Sequence, residues 1–454
     1  MKLGLPQYVG YASGDVANNL TFSMASSFLL IYYTDVAGIS ASTAGTLFLV
    51  VRVWGGITDL VAGRAVDETN TRWGRFRPYL LFASAPLLVL LVALFSVPGG
   101  LSDGAKVVWA CASYALFSVA YSFVNIPYGS LGAAITQDPD ERAKLSTARI
   151  VAASLTILLI AVVVSPQISG AGDLQRSLTV TTIVFAVAGM ALYLWCFSTS
   201  RETVVRSTAK ISLRDTLAMM RQNRPLVILC ASSLLFLTGM FSLQTVGVYY
   251  ARDVLGDADL YIVMTVVQTI GMIAAAAVVP KAVQALGKKR AYLLSGALGA
   301  AAGVGVAVAP GSIPAVGLAF FAVLGFGMGV INTLIFAFQA DTVDYGEWRS
   351  NVRAEGSSYA ALSFTRKAGQ GLGGAAAAYT IGLGGYVSGA ASQTAGAITS
   401  IRIAAGLVPA VVILAATGVM LAYSLTEKAF RLMVAEMAQR RAAAEVPPAV
   451  EAAT

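Results

Sequence analysis

An arginine and an aspartate interrupt a long apolar run near the start of the chain. The run reads VRVWGGITDLVAG, and its charged residues are Arg52 and Asp59. In a helix of 3.6 residues per turn the two lie on one face, about two turns apart. A charge inside a bilayer costs roughly 3 kcal/mol or more unless it faces water or a partner. The pair therefore marks a candidate functional site or, alternatively, a structural brace between helices.

Other polar side chains fall within apolar runs at helical spacing. Asp15, Asn19 and Phe22 share one face of the first run, and Ser122 shares a face with Asn125 further along the chain. An amide suits the hydroxyl groups of a sugar, and an aromatic ring can cover a sugar's apolar face. Amide hydrogen bonds between membrane helices explain these residues equally well.

Three further cations lie beside or within apolar runs. Arg149 follows a charged segment, and it either faces inward or extends to the membrane interface. Arg366 and Lys367 precede a glycine-rich run that favours close helix packing. We expect one of these two cations to point inward, and the sequence does not decide which.

The balance of these inward charges favours an anionic ligand. Arg52, Arg149 and Lys367 are the candidate inward cations, whereas Asp59 is counted as the one deep acid of the first half. A buried cation without a partner is costly until a counter-charge arrives. A cavity with surplus positive charge is therefore expected to bind an anion.

The composition is that of a polytopic membrane protein. Of the 454 residues 57% are hydrophobic and 12% are charged, against roughly 25% charged residues in a soluble domain. The basic residues behind the net charge of +8 lie in alternate loops, which is the pattern of a membrane protein. We therefore expect no nucleic-acid partner. The absence of histidine argues against histidine-based catalysis and zinc sites, and the three cysteines lie in apolar runs. We therefore expect no enzyme, no metal and no cofactor.

Twelve apolar runs are each long enough to cross a bilayer, which needs about 20 residues. The basic loops lie on the side of both termini, so the termini are expected in the cytoplasm. The predicted divisions are 1–200 for a first six-helix bundle, 201–224 for a cytoplasmic central loop, 225–425 for a second bundle and 426–454 for a cytoplasmic tail.

An internal repeat supports two related bundles. YYTDVAG from Tyr32 is matched by YYARDVLG from Tyr249, and VVR by VVQ in the following run. This alignment places Gln268 opposite Arg52 and Ala275 opposite Asp59, so the charges belong to the first half alone. Two such bundles place a substrate site at the midplane between them.

The chain resembles the glycoside-pentoside-hexuronide:cation symporter family of the major facilitator superfamily, over essentially its whole length. The shared segments are YYTDVAG, TRWGRFRPYLL, VNIPYGSL, DERAKLS, ADTVDYGEW and SFTRKAGQ. Within the family, GDVANN at 14–19 is most similar to carriers of glucuronides. The resemblance implies alternating access and a sugar pocket between the first, fourth, fifth, tenth and eleventh helices.

The resemblance also implies roles for single residues. The substrate-binding positions are Asn18, Asn19, Asn125, Gly129, Arg149 and Lys367, to which helical spacing adds Phe22. The cation-coupling positions are Thr58, Asp59 and Ser122. Asn19, Gly55 and Asn125 stand where melibiose carriers of the family have carboxylates, and Gly129 stands where an aromatic is expected. Because sodium favours several carboxylate oxygens and a proton needs one titratable group, we expect proton coupling through Asp59. The alternative is a facilitator that couples no cation, because Gly55 stands where a carboxylate is expected.

Two charged segments resemble cytoplasmic gates of the superfamily. The first contains Asp67, Arg72, Arg75 and Arg77, and the second contains Asp341, Asp344, Glu347 and Arg353. The positive charges of these segments also determine which side of the membrane the loops occupy, and this role is compatible with gating.

We therefore predict an all-α membrane protein of twelve helices in two six-helix bundles. It is expected to be a monomeric secondary transporter of the bacterial inner membrane that imports an anionic glycoside, a β-glucuronide, together with a proton rather than sodium. One alternative is a symporter or facilitator of a neutral glycoside or pentoside. Another is a receptor or lipid-handling protein of the same fold that transports nothing.

Overall fold

The chain is built of long helices. The computed structural model describes residues 3–136, 139–170, 172–202, 223–350, 355–387, 390 and 392–445, and within these ranges there is no β-strand. The first half comprises α1 Leu5–Ile31, α2 Ala41–Glu68, α3 Arg77–Leu94, α4 Asp103–Ile135, α5 Pro139–Gly170 and α6 Leu174–Thr199. The second half comprises α7 Arg224–Tyr249, α8 Leu260–Leu286, α9 Lys288–Val308, α10 Pro314–Ser350, α11 Glu355–Leu383 and α12 Ala395–Leu421, and α13 Glu427–Glu445 follows. The predicted all-helical fold is confirmed, with six long helices in each half within the described ranges.

Ten of the twelve helices are long and apolar enough to cross a membrane by composition alone. The two outside this group are α1 and α11, which contain several of the polar residues singled out in the sequence, among them Asp15, Asn19 and Lys367. Helices that line a polar interior have less need of an apolar surface than helices that face lipid. The lower hydropathy of α1 and α11 therefore fits a central position.

The two halves meet through three helix pairs. α2 packs on α11, α1 on α7, and α5 on α8. Within the first half α1 packs against α5 and α6, and within the second half α7 packs against α11 and α12. These contacts place α1, α2, α7 and α11 at the centre of the molecule. The domain boundary within 201–224 stays a prediction, because residues 203–222 lie outside the described ranges.

The repeated tyrosine segments adopt the same unusual backbone. Each forms a π-helical turn at the end of a helix, Tyr32–Val36 after α1 and Tyr250–Val254 after α7. Each is followed by a glycine with positive φ, 73° at Gly38 and 86° at Gly256, a conformation that glycine adopts without steric cost. The repeat predicted from the sequence is thus visible in the backbone.

The register of the repeat differs by one residue from the sequence alignment. The hydroxyl of Tyr32 accepts a hydrogen bond from Val97 N (2.7 Å), and that of Tyr250 donates to Val306 O (2.8 Å). Both partners lie at the end of the third helix of their own half. Tyr32 therefore corresponds to Tyr250 rather than to Tyr249, because the π turns, and not the paired tyrosines, set the alignment.

Candidate functional site

A charged cluster joins the two halves where α2 meets α11. The Asp59 carboxylate forms an ion pair with Lys367 Nζ of α11, and its Oδ1 accepts a hydrogen bond from Ser122 Oγ of α4 at 2.6 Å. Ser122 Oγ also lies 3.1 Å from Thr58 Oγ1. The three residues predicted for cation coupling are therefore brought together with one of those predicted for substrate binding. The other cation of α11, Arg366, lies over the ring of Phe336, so Lys367 is the inward one.

A second ion pair lies within the first half, between α1 and α5. Arg149 donates from Nε (3.1 Å) and Nη2 (2.9 Å) to Asp15 Oδ1, and its guanidinium lies over the rings of Tyr128 and Tyr11. Arg149 thus faces inward, and the alternative in which it extends to the membrane interface is wrong. Asp15 is 7% exposed, and Asn19 Nδ2 donates to its carboxylate at 3.2 Å.

This pair corrects the charge balance drawn from the sequence. Asp15 is a second deep acid of the first half, so three inward cations face two carboxylates rather than one. Arg149 is neutralised by Asp15 and Lys367 by Asp59. The surplus of positive charge is smaller than expected, and it belongs to Arg52.

Arg52 lies between two adjoining clefts at the centre of the molecule. Its Nη1 donates to Gln370 Oε1 at 3.2 Å, and its guanidinium lies 5.3 Å from the ring centre of Phe22. Both clefts are small and open on one side, with free volumes of about 20 Å³ in one and 30 Å³ in the other. Arg52, Ser26 and Tyr114 line both clefts, and Phe22 lines the larger one.

The remaining residues predicted to bind substrate have different environments. Asn18 is buried, and its Oδ1 accepts a hydrogen bond from the Tyr193 hydroxyl at 2.9 Å. Asn125 is half-buried and makes no hydrogen bond to any side chain in the described part of the chain. A Cβ placed on Gly129 would meet nothing within 4 Å, so open space lies beside this residue. Asn125 and Gly129 do not line the two clefts beside Arg52, and Asn18 is engaged through its Oδ1 alone, because its buried Nδ2 has no partner in the described part of the chain.

The first predicted gate is organised by an acid that the sequence analysis missed. Glu202, just after α6, accepts hydrogen bonds from the backbone nitrogens of Arg75, Phe76 and Arg77 at 2.8 to 3.1 Å. A Cβ on Gly74, whose φ is 102°, would lie 2.5 Å from Glu202 Oε1, so this turn needs glycine.

The arginines of this gate bind carbonyl groups at helix ends. Arg77 donates to Phe197 O at the end of α6 (Nη2, 2.8 Å), and Arg75 Nε donates to Val66 O of α2 at 2.9 Å. Arg72 is exposed and stacks on Trp73. The side chain of Asp67 lies outside the described part, so the network that it was predicted to form stays a prediction.

The second predicted gate is part of α10. Asp341 is buried, and both its carboxylate oxygens accept from Lys288 Nζ at 2.8 Å, which ties α10 to the start of α9. Asp344 and Glu347 lie half-buried on the same helix. Arg353 lies outside the described residues. Helix α13, which follows α12, packs on α10, and Trp348 Nε1 donates a hydrogen bond to Glu436 Oε2 at 3.0 Å.

A further acid fastens the start of α1 to the start of α5. Glu141 accepts hydrogen bonds from the hydroxyl of Tyr8, from Lys144 Nζ (2.9 Å) and from Leu3 N (3.0 Å). These donors, above all Tyr8, lower the pKa of Glu141 to about 2. Glu141 therefore stays ionised across the physiological range and holds the two helix ends together.

The two halves are fastened at the end of the bundles opposite the chain termini. Arg252 Nη1 bonds Asp35 Oδ2 at 2.6 Å, and the Tyr386 hydroxyl donates to Asp35 at 2.9 Å. Thr34 Oγ1 lies 2.8 Å from the Tyr249 hydroxyl. We call these five residues the latch. It joins the ends of α1 and α7 to the segment that follows α11, and the side chain of Asp35 is only 8% exposed.

The sequence analysis did not predict the contacts made by the latch, by Asp15 or by Glu202. The sequence contained a signal for the first two only. The latch lies in the repeated YYTDVAG segment, and Asp15 was placed on one face with Asn19. Nothing in the sequence links Glu202 to a turn more than 120 residues away. A helical pattern gives the face of a residue but not the helix that it meets.

The fold and site define a membrane transporter with a polar centre between two helical halves. A family model described as MFS/sugar transport protein matches residues 10–427. The chain is 44% identical to the "Glucuronide carrier protein homolog" of Escherichia coli (strain K12) over 95% of both chains. It is 34% identical to the "Isoprimeverose transporter" of Lactiplantibacillus pentosus, over 95% of this chain and 91% of the transporter.

The solved structure of the nucleoside transporter NupG superposes with a TM-score of 0.67 at 14% identity. It covers 93% of this chain and 100% of NupG, and it shows the common fold alone. The chain belongs to the glycoside-pentoside-hexuronide:cation symporters, the sugar transporters of the major facilitator superfamily that its motifs resembled. It is a multi-pass membrane transporter of the sugar symporter type and not an enzyme.

Proposed function

We propose that the protein imports an anionic glycoside, a β-glucuronide, together with one proton by alternating access. The observation that carries this proposal is the surplus cation at the centre: three inward cations face two carboxylates, and the unmatched one lines both clefts. A substrate carboxylate supplies the missing negative charge. The similarity to a glucuronide carrier homolog over nearly the whole chain supports the same substrate class.

Asp59 is the proposed coupling residue. It is the carboxylate at the junction of α2, α4 and α11, and it holds Lys367 of the other half. A proton on Asp59 removes the charge that binds Lys367, so Lys367 becomes free for the sugar when the proton arrives. The neighbouring Thr58 and Ser122 supply neutral oxygens only, which favours a proton over sodium.

The latch gives the proposed direction of opening. With the basic loops and both termini in the cytoplasm of a bacterial inner membrane, the latched end faces outward. The latch must therefore open before an external glycoside reaches the clefts. The complete path lies within one chain, so a monomer suffices.

Proton movement in sodium-free vesicles tests the proposal. Adding an aryl β-glucuronide should make the outside alkaline, and a pH gradient should drive accumulation. Since one proton and one carboxylate cancel, an imposed potassium diffusion potential should leave the initial uptake rate unchanged.

Other outcomes would change the assignment. Uptake of a neutral glycoside that is accelerated by an interior-negative potential would make the protein a proton symporter of neutral sugars. Glucuronide equilibration without any pH change would make it a facilitator. No sugar exchange of either kind would contradict transport itself.

A further inference from the structure

We propose that Arg52 and Ser26 form the subsite for the substrate's carboxylate, and that Arg149 does not carry the charge selectivity. This inference rests on the proposed function and adds to it the residues that recognise the anion. It departs from the substrate-binding role that family resemblance gives to Arg149.

The first step is the state of the three central cations. Arg149 donates twice to one oxygen of Asp15, and Lys367 is paired with Asp59. Arg149 is matched by Asp15 whether or not Asp59 carries a proton, so a substrate anion gains little there, whereas Lys367 is matched only while Asp59 is ionised. Arg52 has the amide oxygen of Gln370 and no carboxylate among its partners in the described part of the chain.

The second step is an unsatisfied hydroxyl beside the same space. Ser26 Oγ is buried and makes no hydrogen bond in the described part of the chain, although serines in helices usually bond to a carbonyl of their own helix. A buried hydroxyl without a partner costs free energy, and a ligand acceptor would remove that cost. Ser26 and Arg52 line both central clefts, and this places a neutral donor beside a charged one.

The third step is the fit of Arg52 itself. A guanidinium presents five N–H donors in a planar fork that matches a carboxylate, and one of them is used by Gln370. Gly371 of α11 makes room for the arginine, because a Cβ there would lie 2.6 Å from Arg52 Cβ. Tyr114 also lines both clefts, while Phe22 and Tyr121 in the larger one offer rings for the sugar.

The experiment compares two competitors in counterflow of a labelled glucuronide: phenyl β-glucuronide and its uncharged amide. Arg52→Gln should weaken the glucuronide about 10- to 100-fold, as expected for a lost hydrogen bond to a charged group, and the amide less than about threefold. Arg52→Lys should recover part of the preference. Ser26→Ala should reduce it by about threefold, and this variant serves if Arg52→Gln does not fold.

The matched control is the double variant Asp15→Asn, Arg149→Gln, which removes the other pair without changing the net charge. It should weaken both competitors by similar factors. Equal losses of glucuronide and amide in Arg52→Gln would overturn the subsite, as would a loss of charge preference in the control alone. Failure of the wild type to exchange glucuronide would instead overturn the proposed function.

Discussion

The second helix of each half packs on the fourth, yet the two interfaces are built differently. In the first half α2 meets α4 through Thr58, Asp59 and Ser122, which are joined by hydrogen bonds. In the second half α8 has no charged residue between Leu260 and Pro280, and it packs closely on α10. One interface is polar and can change its protonation, whereas the other is tightly packed.

Glycines set the distance between α8 and α10. A Cβ on Gly271 would lie 2.3 Å from Ala322 O, and one on Gly325 would lie 2.5 Å from Gln268 O. Small residues allow such close approach of backbones in membrane helices. The difference teaches that the acid of the central cluster lies in an interface of the first half, whereas the corresponding interface of the second half is uncharged and closely packed.

The largest effect is expected when a charge is placed in the tightly packed interface. Ala275 is fully buried against Gly329, so Ala275→Asp leaves an acid without a partner and should cost several kcal/mol of stability. Thermal unfolding in detergent measures the loss, with Ala275→Ser as the control. An aspartate variant as stable as the serine variant would show that the second half tolerates a charge.

The next effect concerns the polar interface. Asp59→Asn keeps an acceptor for Ser122 but cannot carry a proton, so accumulation should fall to the equilibrium level while counterflow persists. In the wild type a gradient of one pH unit, about 1.4 kcal/mol, supports about tenfold accumulation. Asp15→Asn removes the other central acid and should retain uphill transport, though with weaker binding. Accumulation that survives Asp59→Asn would remove Asp59 from coupling.

A smaller effect is expected at the latch, where the halves meet through different residues of one repeat. Arg252→Gln removes the bond to Asp35, worth about 1.5 to 3 kcal/mol, and should populate a more open end. Spin labels at the exposed Ser40 and Asp257 would report a longer distance. Arg402→Gln is the matched control, because Arg402 bonds Ala309 O within its own half. Identical distances in the two variants would argue against a latch.

The smallest effect is expected from one hydroxyl. Ser122→Ala removes a single hydrogen bond to Asp59 while the Lys367 pair remains, so stability should fall by about 1 kcal/mol and uptake should continue. Thr265→Val on α8 is the comparison, since that hydroxyl donates to Tyr261 O of its own helix. Denaturant titration measures the free energy of unfolding of both variants. A loss of coupling in Ser122→Ala would extend the coupling site beyond Asp59.

The sequence predicted the fold and the identity of most polar central residues, because apolar length and helical spacing depend on local pattern. It did not predict the pairing of Arg149 with Asp15, 134 residues apart, nor that Arg52, unlike Arg149 and Lys367, has no carboxylate partner in the described part of the chain. Both depend on which helices meet. The register of the repeat was also off by one residue, since the second segment has one more residue than the first between its leading tyrosine and the glycine that ends it.

In the corrected register Asp35 of the first half corresponds to Asp253 of the second. The residues just before them, Thr34 and Arg252, correspond to each other. Arg252 bonds both aspartates, at 2.6 Å across the halves and 2.9 Å within its own. In a homodimer of two identical halves, the same residue would occupy this position in both subunits. Two arginines, or two threonines, would then meet at this point. The closed end is therefore a property of the fused, non-identical chain, and neither half paired with its own duplicate could form it.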